Sequence, residues 1–314
     1  LNLHLPDLSA YRSSFLQKGV IYPLPTVATK KDGLLKILPS APPDKTGWPW
    51  TEESSPIIYN PNITWPRLTI ITPSFNQDKF LEQTIRSVLL QNYPNLEYVV
   101  IDGGSTDGSK KIIEKYAPWI SYWQSEKDNG QSHAINLGFS LASGSYMAWI
   151  NSDDYYLKDV FYMVISHFLS AKVDFVYGQA YNLHVKTARF ELLKVHPLLD
   201  YFIRIPTLAQ PSCFWSNKIH QPIWEDLHCS LDYELWLRLV KGNSRRLINR
   251  PLSVANVHEN AKTSSPKMDA ARERDHQLIC SKNAHGPVYD WHKRIFFHRI
   301  YNRIYNLLYK VSLK

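Results

Sequence analysis

The apolar, aromatic-rich run Tyr146-Met147-Ala148-Trp149-Ile150 stops at Asn151-Ser152-Asp153-Asp154, so two adjacent carboxylates stand at the end of an expected strand. Hard cations such as Mg²⁺ or Mn²⁺ bind through one or two carboxylates and complete their shell with water and substrate phosphates. Asp153 and Asp154 are therefore candidate metal ligands, and the substrate such a metal serves would carry a diphosphate. The same pair can instead cap the turn or helix that follows, because Asp side chains accept from freed backbone N–H groups. Locally the capping reading is the commoner one.

The neighbouring elements shift that balance. From Arg67 onward, short apolar runs alternate with amphipathic ones: Leu68 to Thr72 then Phe80 to Leu90, Tyr98 to Ile101 then Ser109 to Tyr116, Gln131 to Leu141 then Tyr146 to Ile150. Strands alternating with helices predict an α/β fold with a mostly parallel sheet flanked by helices. In such sheets ligands collect beyond the carboxyl ends of the strands. Three strand ends are polar: Pro73-Ser74-Phe75-Asn76, Asp102-Gly103-Gly104-Ser105-Thr106-Asp107, and the acidic turn itself. Their recurrence favours one convergent pocket over three unrelated caps. Ser105 and Asp107 can still cap the helix that begins near Ser109, and the glycines permit close backbone approach.

The 314 residues are 44% hydrophobic, enough for a substantial core. The 36 Lys and Arg against 28 Asp and Glu give a net charge of +8, which favours a polyanionic partner: a phosphorylated substrate, an anionic lipid, or nucleic acid. Charge alone supports the last, and nucleic acid is not expected. Cys213, Cys229 and Cys280 form no CxxC pair, so neither a disulfide framework nor a zinc site is indicated and a reducing cytoplasmic setting is expected. No run of about 18 apolar residues predicts a spanning helix. Leu1 to Asp7 lacks a signal-peptide pattern, and the absence of an initiating Met suggests numbering that starts inside a longer product.

Residues 1–66 are rich in Pro and polar residues and predict an extended arm lying across the folded body, with Trp48 and Trp50 as anchors. Residues 67–265 form the expected catalytic domain and 266–314 a helical, basic tail. Within 291–314, Ile300, Ile304 and Leu308 recur at i+4 among Lys293, Arg294, Arg299, Arg303 and Lys310. Such a helix can lie on an anionic membrane surface, peripheral on its inner face, or can pack on the domain with a solvated basic face.

The ordered motifs from Arg67 to Thr263 resemble family 2 inverting nucleotide-sugar glycosyltransferases of the GT-A fold. They are Thr69-Ile70-Ile71-Thr72-Pro73-Ser74-Phe75-Asn76, Thr84 to Gln91, Glu97 to Asp107, Asn129-Gly130-Gln131, Ala134-Ile135-Asn136-Leu137-Gly138 and the acidic turn. The resemblance implies that Pro73, Phe75, Asn76, Gln131 and Asn136 line the nucleotide sugar and that Asp102 contacts the nucleobase. A carboxylate can accept from a uracil N–H, which favours a UDP-sugar. The family's metal motif reads Asp-x-Asp; here Asn151 stands first and would bond a ribose hydroxyl, leaving ligation to Asp153 with Asp154 beside it. His258 resembles the residue that joins the metal, and Lys262-Thr263 the basic position at the diphosphate. In Ser230 to Leu239, Asp232 matches the acid opening a helix and is the expected base that deprotonates the acceptor hydroxyl. Glu225 and Asp226 are the second choice. Gln210 and Trp215 fall on the acceptor side, as a sugar-hydroxyl partner and a stacking face.

The expected function is thus metal-dependent, inverting, non-processive transfer of one sugar to a saccharide or lipid-linked acceptor, in glycan or cell-surface polysaccharide assembly. The alternative is a non-catalytic nucleotide-sugar-binding relative, made conceivable by Asn151. A processive synthase is disfavoured by the missing Gln-x-x-Arg-Trp string and spanning helices, and a nucleotidyltransferase by the lack of a glycine- and arginine-rich phosphate loop after the first strand.

Overall fold

The structure, a computed structural model, describes residues 1–259, 261–262 and 265–312. Thr263, Leu313 and Lys314 of the expected motifs lie outside the described residues, as do Asn260 and Ser264. The chain order is α1 (Leu8–Gln17), β1 (Leu68–Ser74), α2 (Asp78–Leu89), β2 (Leu96–Asp102), α3 (Ser109–Tyr116), β3 (Tyr122–Ser125), α4 (Gln131–Leu141), β4 (Tyr146–Trp149), β5 (Tyr155–Tyr156), α5 (Val160–Ala171), β6 (Phe175–His184), β7 (Arg189–Leu193), β8 (Cys213–Ser216), α6 (Leu231–Leu239), β9 (Arg245–Val257), α7 (Asp269–Ile279) and α8 (Trp291–Ser312).

The strands form one sheet in the order β3-β2-β1-β4-β8-β6-β9-β5, with β7 on β6. The β3-β2-β1-β4 half is parallel, in register from Leu68↔Leu96 to Ser74↔Asp102 and from Leu68↔Tyr146 to Ile71↔Trp149. β1 and β2 are buried along their whole length, as parallel strands covered on both faces must be, which is why their centres, Ile70-Ile71 and Tyr98 to Ile101, read as apolar runs. Beyond β4 the sheet is mixed. β8 runs antiparallel to β4 and β6, β6 pairs parallel with β9, and the β6–β7 hairpin is antiparallel.

In α2, Leu81, Ile85, Val88 and Leu89 share one face at i+4 and i+7 and are fully buried. α4 buries Ala134, Ile135, Gly138 and Phe139. Gly138 is required there, since a Cβ would lie 2.5 Å from Ile71 Cγ2. The close helix–sheet approach sets the height of the loop before α4 over the strand ends.

The arm wraps the domain and also contributes α1, which the weak periodicity of its sequence does not announce. Asp7 caps it by accepting from Ser9 N at 2.8 Å, Phe15 enters the core, and Arg12 Nε donates to Ser140 O at 2.6 Å. Trp48 Nε1 donates to Tyr156 O at 2.7 Å. The main rivet is Arg86 on α2, 1% exposed, which donates to Pro39 O, Pro49 O, Trp50 O and Tyr116 Oη.

At the other end, α8 packs on the segment after β7. Tyr301 Oη donates to Pro197 O, Arg294 to Tyr201 O, and Phe202 contacts His298 and Tyr301. No helix among the described residues is long and apolar enough to cross a membrane.

Replacing Arg86 by Ala strands the buried carbonyl of Pro49 and the part-buried carbonyls of Pro39 and Trp50, each worth about 1–3 kcal/mol when left unpaired and buried. We expect a loss of at least about 3 kcal/mol in chemical denaturation, with limited proteolysis now cutting within residues 30–55. Unchanged protection of that segment would contradict the riveting role.

Candidate active site

The ends of β1, β2, β4 and β6 and the loops before α4 and α6 enclose a cavity of about 1170 Å³, large enough for a nucleotide sugar and part of an acceptor. Among its lining residues are Pro73, Phe75, Asn76, Gln131, Asn151, Asp153, Asp154, Gln210, Asp232 and Lys262. Ten of the residues expected from sequence therefore converge. Asp102, Asn136, Trp215 and His258 do not line it.

The acidic turn is braced from two sides. Thr84 Oγ1 on α2 donates to Ser152 O at 2.9 Å and Asp154 O at 2.6 Å. From β9, Asn256 N donates to Asp154 Oδ1 at 3.1 Å and Asn256 Nδ2 to Asp153 O at 2.6 Å. Asp154 is buried, and burial, reinforced by the neighbouring Asp153, pushes its carboxyl well above the ordinary aspartate value. Asp153 is the more open of the two and meets His258 Nε2 through Oδ2 at 3.1 Å, with the His258 ring stacked on Phe80.

These residues fit a divalent cation of the Mg²⁺ or Mn²⁺ type. Adjacent donors in an octahedral shell at about 2.1 Å lie about 3 Å apart, the spacing of Asp153 Oδ2 and His258 Nε2. Among the described residues no group of three or more His, Cys, Asp or Glu side chains forms a metal cluster. The remaining ligands must come from water and substrate.

Asn151 is the centre of a side-chain chain across the floor. Lys262 Nζ donates to Gln131 Oε1 at 3.0 Å, Gln131 Nε2 to Asn151 Oδ1 at 2.8 Å, Asn151 Nδ2 to Gln210 Oε1 at 3.2 Å, and Gln210 Nε2 to Trp149 O at 2.9 Å. The Asn151 amide also bonds the Asp154 carboxyl. An amide suits this position because it must donate and accept at once, beside two acids.

At the far end, Phe75 is 59% exposed, an aromatic face turned to the cavity. Ser74 Oγ is buried on the cavity wall with no partner. Asn76, at φ +53°, accepts from Thr106 N at 2.9 Å and donates through its own N–H to Ser105 Oγ, stitching the loops after β1 and β2 together. Asp102 is wholly buried and takes bonds from Ser105 N, Ser105 Oγ and Ser125 Oγ at 2.9, 2.5 and 2.7 Å. Three of the roughly four lone-pair sites of this carboxylate are thus taken by the loops, and it does not line the cavity, so the structure shows it bracing the loops and not facing a nucleobase. The carboxylate that does line this end is Asp128, which sequence reading passed over. Burial raises its carboxyl above the ordinary value. The polar turn after β3 held the signal, but β3 is a four-residue, half-buried strand without an apolar run.

Asp232 stands in the first turn of α6 and also lines the cavity. Its Oδ1 accepts from Tyr233 N at 2.8 Å, no cation among the described residues pairs with it, and burial raises its carboxyl above the ordinary value. The loop before it is clamped by Asp275 of α7, wholly buried, which accepts from His228 N, Cys229 N and Ser230 N at 3.0, 2.7 and 2.9 Å. Arg272 on the same helix donates to Lys262 O at 2.8 Å. The tail thus positions two site residues.

Four expectations are corrected by burial or bonding. Trp215 is fully buried against Trp149, Trp236 and Phe139, and offers no face to an acceptor. Asn136 is fully buried, donating to Ile223 O and Glu225 Oε1 and accepting from Ile223 N. Glu225 is taken up by Asn136 and Tyr11, and Asp226 by Trp224 Nε1; neither lines the cavity.

A model described as Glycosyl transferase family 2 matches residues 69–221. The Escherichia coli protein WfgD, named as a UDP-Glc:alpha-D-GlcNAc-diphosphoundecaprenol beta-1,3-glucosyltransferase, is 29% identical over 202 residues, covering 58% of this chain and 73% of its own. Among solved structures, Staphylococcus aureus TarS 1-349 in complex with UDP-GlcNAc superposes with a TM-score of 0.52 at 17% identity, over 69% of this chain and 67% of that one. The mannosyltransferase PcManGT of Pyrobaculum calidifontis, in complex with GDP-Man and Mn²⁺, gives 0.51 at 19%, over 69% and 62%. At these identities the structures speak for the fold.

Asn151→Asp removes the donors to Gln210 and Asp154 and sets a third carboxylate beside two. We expect a stability loss of about 1–3 kcal/mol in chemical denaturation. Equal or greater stability would contradict the reason given for an amide here.

Proposed function

From the premise that this chain carries a family 2 glycosyltransferase domain of GT-A fold, we propose that it transfers one sugar from a nucleotide-diphosphate donor, a UDP-sugar, to a saccharide or lipid-linked acceptor with inversion. The observation that carries the reading is that Asp153 and Asp232 line one and the same cavity. One carboxylate stands where a leaving diphosphate would go. The other stands, without a cation among the described residues, where an acceptor hydroxyl would enter.

Asp153 Oδ2 and His258 Nε2 would hold the cation. When bound, it supplies Lewis-acid stabilisation of charge growing on the leaving diphosphate. Lys262, tethered to Gln131, adds a positive charge on the same side. Phe75 gives the nucleobase a stacking face. Asp232 takes the acceptor O–H proton as the new oxygen–C1 bond forms and the C1–O bond to the diphosphate breaks, with the nucleoside diphosphate leaving from the opposite face. Gln210, fixed by Asn151 and Trp149 O, is the acceptor-side hydrogen-bonding group. A lipid-linked acceptor, and with it a role in glycan assembly, is supported by WfgD, which is named for glucosyl transfer to a diphosphoundecaprenol-linked GlcNAc. The donors named for TarS and PcManGT are nucleotide sugars, the latter with Mn²⁺.

The second limb concerns α8. Its packed side presents Arg294, His298 and Tyr301, while Phe296, Phe297, Ile300, Ile304, Leu307 and Leu308 are exposed beside Lys293, Arg299 and Arg303. The i+4 apolar stripe therefore faces outward and not onto the domain. An outward face mixing apolar and basic side chains suits the interface of an anionic bilayer. A lipid-linked acceptor would be met there.

Asp232→Asn should lower kcat by about 10²–10⁴-fold while nucleotide binding persists, measured by turnover and by calorimetry with UDP; wild-type turnover would remove the assignment. In the wild type, the base works ionised and its carboxyl is raised by burial. The acid limb of kcat/KM should therefore fall at a higher pH than an ordinary aspartate would give, and a limb in the ordinary range would contradict it. For α8, changing Phe296, Ile300 and Ile304 to Ser should abolish co-sedimentation with vesicles containing phosphatidylglycerol. Retained sedimentation would sink the membrane limb.

A further inference from the structure

We propose that Asp128, not Asp102, reads the nucleobase of the donor, and that its free oxygen Oδ2 selects a base whose pairing edge carries an N–H between two carbonyls, as uracil does. The inference rests on the nucleotide-sugar reading above and names the specificity group of that site.

Three observations carry it. The Asp102 carboxylate is wholly buried, accepts from Ser105 and Ser125, and is absent from the cavity wall. The next residue is Gly103, and a Cβ there would lie 2.9 Å from Asp128 Oδ2 and 3.0 Å from Oδ1. The loop after β3 thus inserts a carboxylate into the space that a side chain at 103 would take, at the end of β2. Finally, Asp128 lines the cavity together with Phe75 and Gly104, so a base stacked on Phe75 is presented to it edge-on.

The direction of the hydrogen bond follows from how the carboxylate is used. Oδ1 accepts from Gly130 N at 2.8 Å, the N–H at the mouth of α4, where Gly130 itself has φ +105°. That bond fixes the side chain and leaves Oδ2 as the oxygen with no hydrogen-bond partner among the described residues. One acceptor matches the lone N3–H of uracil. Guanine offers N1–H and N2–H side by side, which call for both oxygens of a carboxylate, and cytosine presents an acceptor at N3 that a carboxylate repels. Gly103 is needed for the arrangement, since any larger residue would push Asp128 out.

The bond to Gly130 also makes the conservative variant informative. In Asp128→Asn the amide oxygen keeps the bond to Gly130 N, so the atom in place of Oδ2 becomes an N–H donor. That donor suits the N3 acceptor of cytosine.

Calorimetric titration of the full chain with UDP, CDP and GDP, each with Mn²⁺, tests this. The wild type should prefer UDP over CDP and GDP by at least about tenfold, the scale of one charge-assisted hydrogen bond. In Asp128→Asn the UDP:CDP ratio should fall at least about tenfold, with CDP gaining. In Asp102→Asn the ratio should stay as in the wild type. A ratio unchanged in Asp128→Asn, or collapsed only in Asp102→Asn, overturns the proposal while leaving the glycosyltransferase reading intact. A wild type that binds none of the three overturns that reading, and the proposal with it.

Discussion

The site depends on keeping two adjacent carboxylates at the end of β4 in fixed and unequal surroundings. Like charges this close cannot both be desolvated without cost, so the fold separates their circumstances. Asp154 is drawn into the interior under the Asn256 N–H and the Asn151 amide, and its carboxyl is raised. Asp153 is left at the cavity wall against His258. The brace comes from opposite sides of the chain, Thr84 on α2 and Asn256 on β9. The mixed half of the sheet has its purpose here: β9 must run past β5 to bring Asn256 and His258 back over the turn.

The segments flanking the matched family region share the positioning. The arm is fastened at Arg86, on the helix that also carries Thr84. At the other end, Asp275 gathers three N–H groups in front of Asp232, the geometry of an anion held by successive backbone donors, with a resident carboxylate as the anion. Arg272 fastens the backbone of Lys262 from the same helix. The loop before Asp232 and the backbone of Lys262 are thereby set by α7, within the 266–314 segment that the sequence motifs leave unassigned.

The parallel half of the fold was legible because β1, β2 and β4 are buried on both faces and must be apolar, so their polar ends stand out. Asp153 after β4 and Phe75 and Asn76 after β1 were found on the cavity for that reason, whereas Gln131, Asp232 and Lys262 were reached through the family resemblance. What stayed hidden depended on facing. Trp215 and Asn136 lie on strand or helix positions whose direction no motif encodes, and both turn inward. Asp102 follows its strand as expected, yet whether its lone pairs reach a ligand depends on Ser125, at the end of a strand too short and too wet to recognise. α1 and the Asp275 clamp escaped because a single buried anchor, Phe15 or Asp275, leaves no periodic trace.

On the proposed reading, with Asp153 and His258 as the two protein donors, a divalent cation and the donor diphosphate would complete each other's binding. The direct test is calorimetric titration of Mn²⁺ into the protein with and without saturating UDP. The account predicts weak binding of Mn²⁺ alone and at least about tenfold tighter binding with UDP, an effect lost in Asp153→Ala. Equal Mn²⁺ affinity in the presence and absence of UDP, or coupling that survives in Asp153→Ala, would contradict it.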